Sequence, residues 1–128
     1  MSDLFPKPFQ EAIIYQDRKL YVCLANNPIE LGHVIVVWNK PVKDLNLLSR
    51  KNYDYLMEVV SNVRKAMIRT LKVKKVYLLY MDEINHVHWH LIPRYKKMGL
   101  DNLSIKPGKI KDFSLENKIR KNLIISVK

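Results

Sequence analysis

The sequence predicts an α+β fold built on a largely antiparallel sheet. Apolar, strand-like runs follow one another before any helical period begins. One long stretch then repeats every three or four residues, and two more strand-like runs follow it. A doubly wound parallel sheet would instead alternate strand and helix from the start. With 128 residues, 48% of them hydrophobic, the chain suits one domain with a packed core.

The first element is a β-hairpin spanning roughly Ala12 to Ala25, two apolar runs separated by the polar Gln16, Asp17, Arg18 and Lys19. Asn26, Asn27 and Pro28 punctuate it, because proline restricts its predecessor and asparagine tolerates turns. Gly32 to Trp38 is a continuous β-branched run suited to a strand buried on both faces, ended by Asn39, Lys40 and Pro41. From Ser49 to about Leu71 the apolar stripe Tyr53, Leu56, Met57, Val60, Val63, Met67, Ile68 and Leu71 has helical spacing, with Ser49 as N-cap. A lysine-rich turn at Lys72–Lys75 leads to a strand over Val76–Met81. The polar link Asp82–Asn85 precedes an alternating strand from His86 that ends at Pro93. Beyond Arg94, Gly99, Pro107 and Gly108 mark loops. A second helix is expected from about Asp112 or Ser114 to Ile125, with Leu115, Ile119, Leu123 and Ile124 on one stripe.

The formal charge is +11, and residues 94–128 hold ten Lys or Arg against three Asp or Glu. Such a surface attracts polyanions, but a lysine-rich proteome would produce it equally well. Nothing approaches the length of a transmembrane helix, and the first residues lack the pattern of a signal peptide. A cytoplasmic protein without a membrane partner is therefore expected. Cys23 is the single cysteine, which excludes an internal disulfide and a Cys-rich zinc site. Its place in a strand suggests a small buried hydrophobe.

Three of the four histidines, His86, His88 and His90, occupy alternate positions of one expected strand. Alternate side chains share a face, so the imidazoles form a row about 7 Å apart per step while Val87, Trp89 and Leu91 face the core. Three readings fit the row. One imidazole can attack phosphorus while a neighbour serves the leaving group. Two or three can bind zinc or another divalent metal. The row can also be a solvated polar face. His33, a lone histidine on an apolar strand, gains interest only if its strand lies beside the row.

The run His86-Val87-His88-Trp89-His90-Leu91-Ile92 resembles the signature of the histidine-triad superfamily, histidines alternating with apolar residues. Gly32-His33-Val34-Ile35-Val36 is similar to a second family block, one helix upstream, and Asp44-Leu45 resembles the end of the next loop. The resemblance covers about residues 11–95, within an expected domain core of 1–95. Residues 96–128 are a basic extension, read as part of the same domain or as a dimer contact. Pro41 after Lys40 is similar to the fragile-histidine-triad branch, which cleaves diadenosine polyphosphates.

The resemblance implies a five-stranded antiparallel sheet with a long helix and a second C-terminal helix, in a homodimer. It implies a nucleotidyl hydrolase or transferase acting at the α-phosphate of a dinucleoside polyphosphate or nucleoside phosphoramidate. His88 would form a nucleotidyl-histidine, His90 would help protonate the leaving group, and His86 would orient His88 through its carbonyl. His33 would complete the network, with no metal required. Members usually carry a glycine- and glutamine-containing loop before the triad, where this chain has Met81-Asp82-Glu83-Ile84-Asn85. Asn85 is the candidate for the missing polar contacts. Ala25 stands where members often have an acidic or amide residue, so Asn26 and Asn27 are the candidates for ribose. Arg94 is a candidate phosphate contact, weighed against a surface or structural ion pair.

Two other functions remain open at this level. The basic tail suits nucleic acid, and with it removal of a 5′-adenylate. An altered loop suits a nucleotide- or metal-binding protein with little turnover. Among smaller features, Trp38, Trp89, Tyr53, Tyr77 and Tyr80 fit core patterns better than ligand contacts. Lys106-Pro107-Gly108-Lys109 reads as a turn, having too few glycines for a phosphate loop.

Overall fold

The computed structural model describes residues 5–96 and 107–125. Gly99 and Lys106, read above as loop and turn residues, lie outside the described residues. A short 3₁₀ turn, Gln10–Ala12, precedes the hairpin of β1 (Ile13–Gln16) and β2 (Leu20–Leu24). Then come β3 (Val34–Trp38), the 22-residue helix α1 (Arg50–Leu71), β4 (Lys75–Tyr80), β5 (His88–Arg94) and α2 (Ser114–Asn122). The five strands form one sheet in the order β1-β2-β3-β5-β4, with every neighbouring pair antiparallel. The expected α+β class, five-stranded antiparallel sheet and two helices are therefore present.

Local chemistry sets the element ends. The β1–β2 turn is organised by Asp17, whose Oδ1 accepts the N–H groups of Lys19 and Leu20 and whose Oδ2 accepts the hydroxyls of Tyr15 and Tyr55. Ser49 Oγ caps α1 by accepting the Asn52 N–H at 3.1 Å. The helix stops at Lys72, whose left-handed backbone (φ 56°) returns its N–H to the Ile68 carbonyl. α2 ends at Asn122, three residues before the expected Ile125. There Arg69 donates to the Asn122 carbonyl, and the Asn122 amide donates to Thr70 Oγ1, so tertiary partners satisfy the terminus.

α1 covers one face of the sheet. Leu56, Val59, Val60, Val63, Ala66 and Met67 pack with Val22, Val34, Val36, Val87 and Leu91, and Cys23 is fully buried in the same core. Trp38 is buried there too, and Trp89 packs against this core from its edge with its ring 5.0 Å from that of Tyr80. Tyr53, expected on the buried stripe, is instead exposed beside an open cavity formed with Asp44, Leu45 and Tyr80. It lies in the first turn of the helix, three residues before the buried Leu56.

α2 packs on α1 and β1, and Ile119 has no exposed surface. Each edge strand carries an arginine on its free carbonyls: Arg120 donates to Ile13 and Ile14 on β1, and Arg64 to Val76 on β4. Among the described residues no helix is long and apolar enough to cross a membrane. Truncating Ile119 to alanine removes a fully buried side chain that joins α2 to the core. It should cost about 2–5 kcal/mol, read from urea denaturation.

Candidate active site

β5 lies between β3 and β4, and its register with β3 determines the site. Val37 pairs with His88, Ile35 with His90, Val36 with Trp89 and Val34 with Leu91. Trp89 and Leu91 therefore share the α1 side with Val36 and Val34, and the imidazoles of His88 and His90 take the other side. β5 begins at His88, two residues later than expected. The preceding backbone is held away from β4, since the Val87 N–H bonds to the Val42 carbonyl at 2.9 Å. His86 is still part of the cluster, buried against the end of β3.

One backbone N–H orders the protons of two histidines. Ile29 donates to His33 Nδ1 at 3.0 Å, so the neutral His33 carries its proton on Nε2. That proton faces His90 Nδ1 at 3.0 Å, making His90 Nδ1 an acceptor and placing the His90 proton on Nε2. On the neighbouring ring, His88 Nδ1 donates to the His86 carbonyl at 2.6 Å, which leaves Nε2 with the lone pair. His86 Nε2 donates to the Trp38 carbonyl at 2.5 Å, and its Nδ1 is buried without a partner among the described residues. The rings of His88 and His90 meet edge to face, 5.0 Å apart.

Burial also keeps these groups uncharged. Desolvation, aided by the neighbouring His90, lowers the His33 pKa to about 3. Desolvation and His88 lower that of His90 to about 4. Desolvation pulls His88 below the ordinary imidazole value, against the opposing bond to the His86 carbonyl. At neutral pH the cluster thus places an unprotonated nitrogen, His88 Nε2, beside a donor, His90 Nε2–H.

The two rings open on a cavity of about 200 Å³ that is also lined by His33, Ala25, Asn26, Asn27, Ile35 and Ile84. Asn26 Oδ1 is buried there without a partner among the described residues, whereas Asn27 is exposed. Asn85 and Arg94 are not among the lining residues. Asn85 is exposed in the turn before β5 (φ 57°), with its N–H on the Asp82 carbonyl. Arg94 ends β5 opposite Lys75, four residues beyond His90. Of the link before β5, Ile84 lines this cavity, whereas Asp82 accepts the Tyr80 hydroxyl and lines the separate cavity beside Tyr53.

The sequence reading missed Phe5, Pro6 and Pro8, which complete the wall. The signal present was the pair of prolines in Phe5-Pro6-Lys7-Pro8, a stiff extended segment. The segment around Gly108, expected as a turn, is instead extended along the 26–28 loop. Gly108 N–H bonds to the Pro28 carbonyl and Ile110 N–H to that of Asn26.

These features agree with what the chain is similar to. The model of the HIT domain matches residues 7–97. The chain belongs to the HIT family. An uncharacterized HIT-like protein of Methanocaldococcus jannaschii is 28% identical over 117 residues, covering 84% of this chain and 85% of the relative. A hypothetical histidine triad nucleotide-binding protein from Sulfolobus tokodaii shares the fold at a TM-score of 0.70 and 24% identity, over 87% of this chain and 82% of that one. A zinc-bound histidine triad family protein from Mycobacterium smegmatis does so at 0.68 and 20%, over 86% and 81%.

In this HIT protein several ring nitrogens are already engaged with partners. His33 Nε2 and His90 Nδ1 are turned on each other, and His88 Nδ1 and His86 Nε2 on carbonyls. Among the described residues no three His, Cys, Asp or Glu side chains converge on one point.

The lowered imidazole pKa values predict a pH dependence of stability. Below pH 6.5 the unfolded chain protonates these histidines while the folded chain does not, so stability falls as pH drops from 6.5 toward 4 and below. His33→Asn keeps an acceptor for the Ile29 N–H but cannot titrate. Urea midpoints measured from pH 4 to 7 should show a shallower slope for this variant than for the wild type.

Proposed function

We propose that the protein is a nucleotidyl hydrolase or transferase that cleaves at the α-phosphate of a nucleotide through a nucleotidyl-histidine on His88. The observation that carries the reading is the proton arrangement of the cluster. His88 Nδ1 is committed to the His86 carbonyl, so Nε2 is the nitrogen available to attack, unprotonated, beside the Nε2–H of His90.

Attack of His88 Nε2 on phosphorus forms a P–N bond as the bond from phosphorus to the leaving oxygen breaks. The positive charge on the phosphorylated imidazole is delocalised toward Nδ1–H and met by the His86 carbonyl. His90 Nε2–H donates to the departing oxygen. Water then attacks the same phosphorus and loses a proton to solvent as the P–N bond breaks, and the nucleoside monophosphate leaves while His88 returns to its starting form. Because the Ile29 N–H and His33 hold His90 as a neutral donor, the arrangement favours a leaving group that departs as a stabilised anion. The phosphate end of a nucleoside polyphosphate meets that demand, whereas an amine has to be protonated. This supports dinucleoside polyphosphates over phosphoramidates, in line with the likeness to the fragile-histidine-triad branch. Asn26, at the cavity edge with an unpartnered Oδ1, is the proposed ribose contact, with Asn27 beside it.

The test is incubation with diadenosine polyphosphates and an adenosine phosphoramidate, using wild type and His88→Ala. Wild type should cleave the polyphosphate faster. The substitution should lower kcat by at least about a thousandfold, and intact mass should detect an adenylate adduct on wild type alone. Equal turnover by both proteins rejects His88 as the nucleophile.

His33→Asn tests the proton chain. With Nε2–H removed, His90 is free to take the other tautomer, so kcat should fall by about 10- to 100-fold while KM stays close to wild type. A change confined to KM would remove His33 from the chemistry.

A further inference from the structure

We propose that residues 5–8 form a strap that closes the histidine cavity and has to swing out before a nucleotide-sized ligand reaches His88. The inference rests on the reading of His88 as the group that meets the substrate. The Phe5 ring covers the cluster: its centroid lies 4.8 Å from that of His86 and 4.9 Å from that of His88. Pro6 and Pro8 continue along the same opening. The Lys7 carbonyl accepts a hydrogen bond from Asn26 Nδ2 at 2.9 Å, fastening the strap to the loop after β2.

Size argues for movement of one wall. With the strap in place the cavity holds about 200 Å³, below the ~300–1,000 Å³ of pockets that enclose small-molecule ligands. His33 and Ile35 flank one side and His88 and His90 another, on and beside two central strands whose displacement would break the ladder. The strap lies outside the sheet, tied by one backbone-directed hydrogen bond and by ring contacts. Its two prolines keep it extended, so it moves as a stiff unit. Its fixed point is Phe9, where the carbonyl accepts the Ala12 N–H and the ring meets Phe113 edge to face at 5.7 Å.

Asn26 couples the strap to the ligand. Its Nδ2 is spent on Lys7 while its Oδ1 is buried without a partner. Release of the strap frees the whole amide for an incoming ligand. Strap and ligand therefore compete for the same side chain as well as for the same space. A closure held by one hydrogen bond and the two ring contacts of Phe5, less the cost of ordering the strap, corresponds to roughly a tenfold preference for the closed form.

The test is carbethoxylation of His88 and His90 by diethyl pyrocarbonate at pH 7, followed by peptide mass. Wild type is compared with Phe5→Ala and with Pro6→Gly/Pro8→Gly, which keeps the ring but relaxes the strap. Both variants should label about tenfold faster, and Phe5→Ala should lower KM for a diadenosine polyphosphate by a similar factor. Labelling rates equal to wild type in both variants overturn the strap, since nothing then covers His88. A raised KM in Phe5→Ala also overturns it, by making Phe5 a wall of the bound state. Faster labelling in proteins that turn over no nucleotide keeps the strap and removes the nucleotide reading instead.

Discussion

The pairing of Val37 with His88 and of Ile35 with His90 places both imidazoles on the side of the sheet that α1 leaves uncovered. A slip of one residue would turn them into the apolar layer and bring Trp89 and Leu91 out. The register is held from both sides, because β5 is hydrogen-bonded to β3 and to β4, and because Val36, Val34 and Leu91 belong to the core under α1. The same pairing brings His33, just before β3, within hydrogen-bond reach of His90. The cost of misplacing apolar side chains thus holds the polar cluster in place.

Within that frame the chemistry is set by backbone groups more than by charged side chains. Among the described residues that line the cavity there is no Lys or Arg, although the chain's net charge is +11. The Ile29 N–H and the carbonyls of His86 and Trp38 direct the imidazole protons instead. Trp38 ends β3, His86 precedes β5 and Ile29 lies in the loop between β2 and β3, so the proton pattern follows from the fold itself. Burial reinforces it by disfavouring the charged forms of His33, His88 and His90.

The basic C-terminal region carries structural work that its composition does not disclose. Arg120 is turned onto β1 carbonyls and Glu116, and Ile119 fills the core. On α1, Arg69 closes the end of α2 and Arg64 covers an edge carbonyl of β4. Several cations that a charge count assigns to a polyanion surface are therefore already committed to the backbone.

Much of the fold was legible in the residues because it rests on periodicity. Alternation at His86–Leu91 separated the core side of β5 from the histidine side, and the three- and four-residue spacing from Leu56 to Met67 marked the buried stripe of α1. Ser49 announced the cap of that helix. These are local consequences of side-chain direction, which a sequence carries in full. Tyr53 fell outside the pattern because burial of a helix turn depends on whether the sheet extends beneath it.

Contacts between segments distant in the chain are legible only in the folded molecule. His33 meets His90 across 57 residues, Asn26 holds Lys7, and Phe5 lies against His86 and His88. Spacing in the sequence does not encode these meetings, since each depends on how several strands and loops stack together. Alternation in the sequence was enough to show that the histidines share one face and that this face is not the apolar one. The packed chain decided which nitrogen of each ring carries the proton and what covers the cavity, because both are set by backbone groups that come together only on folding.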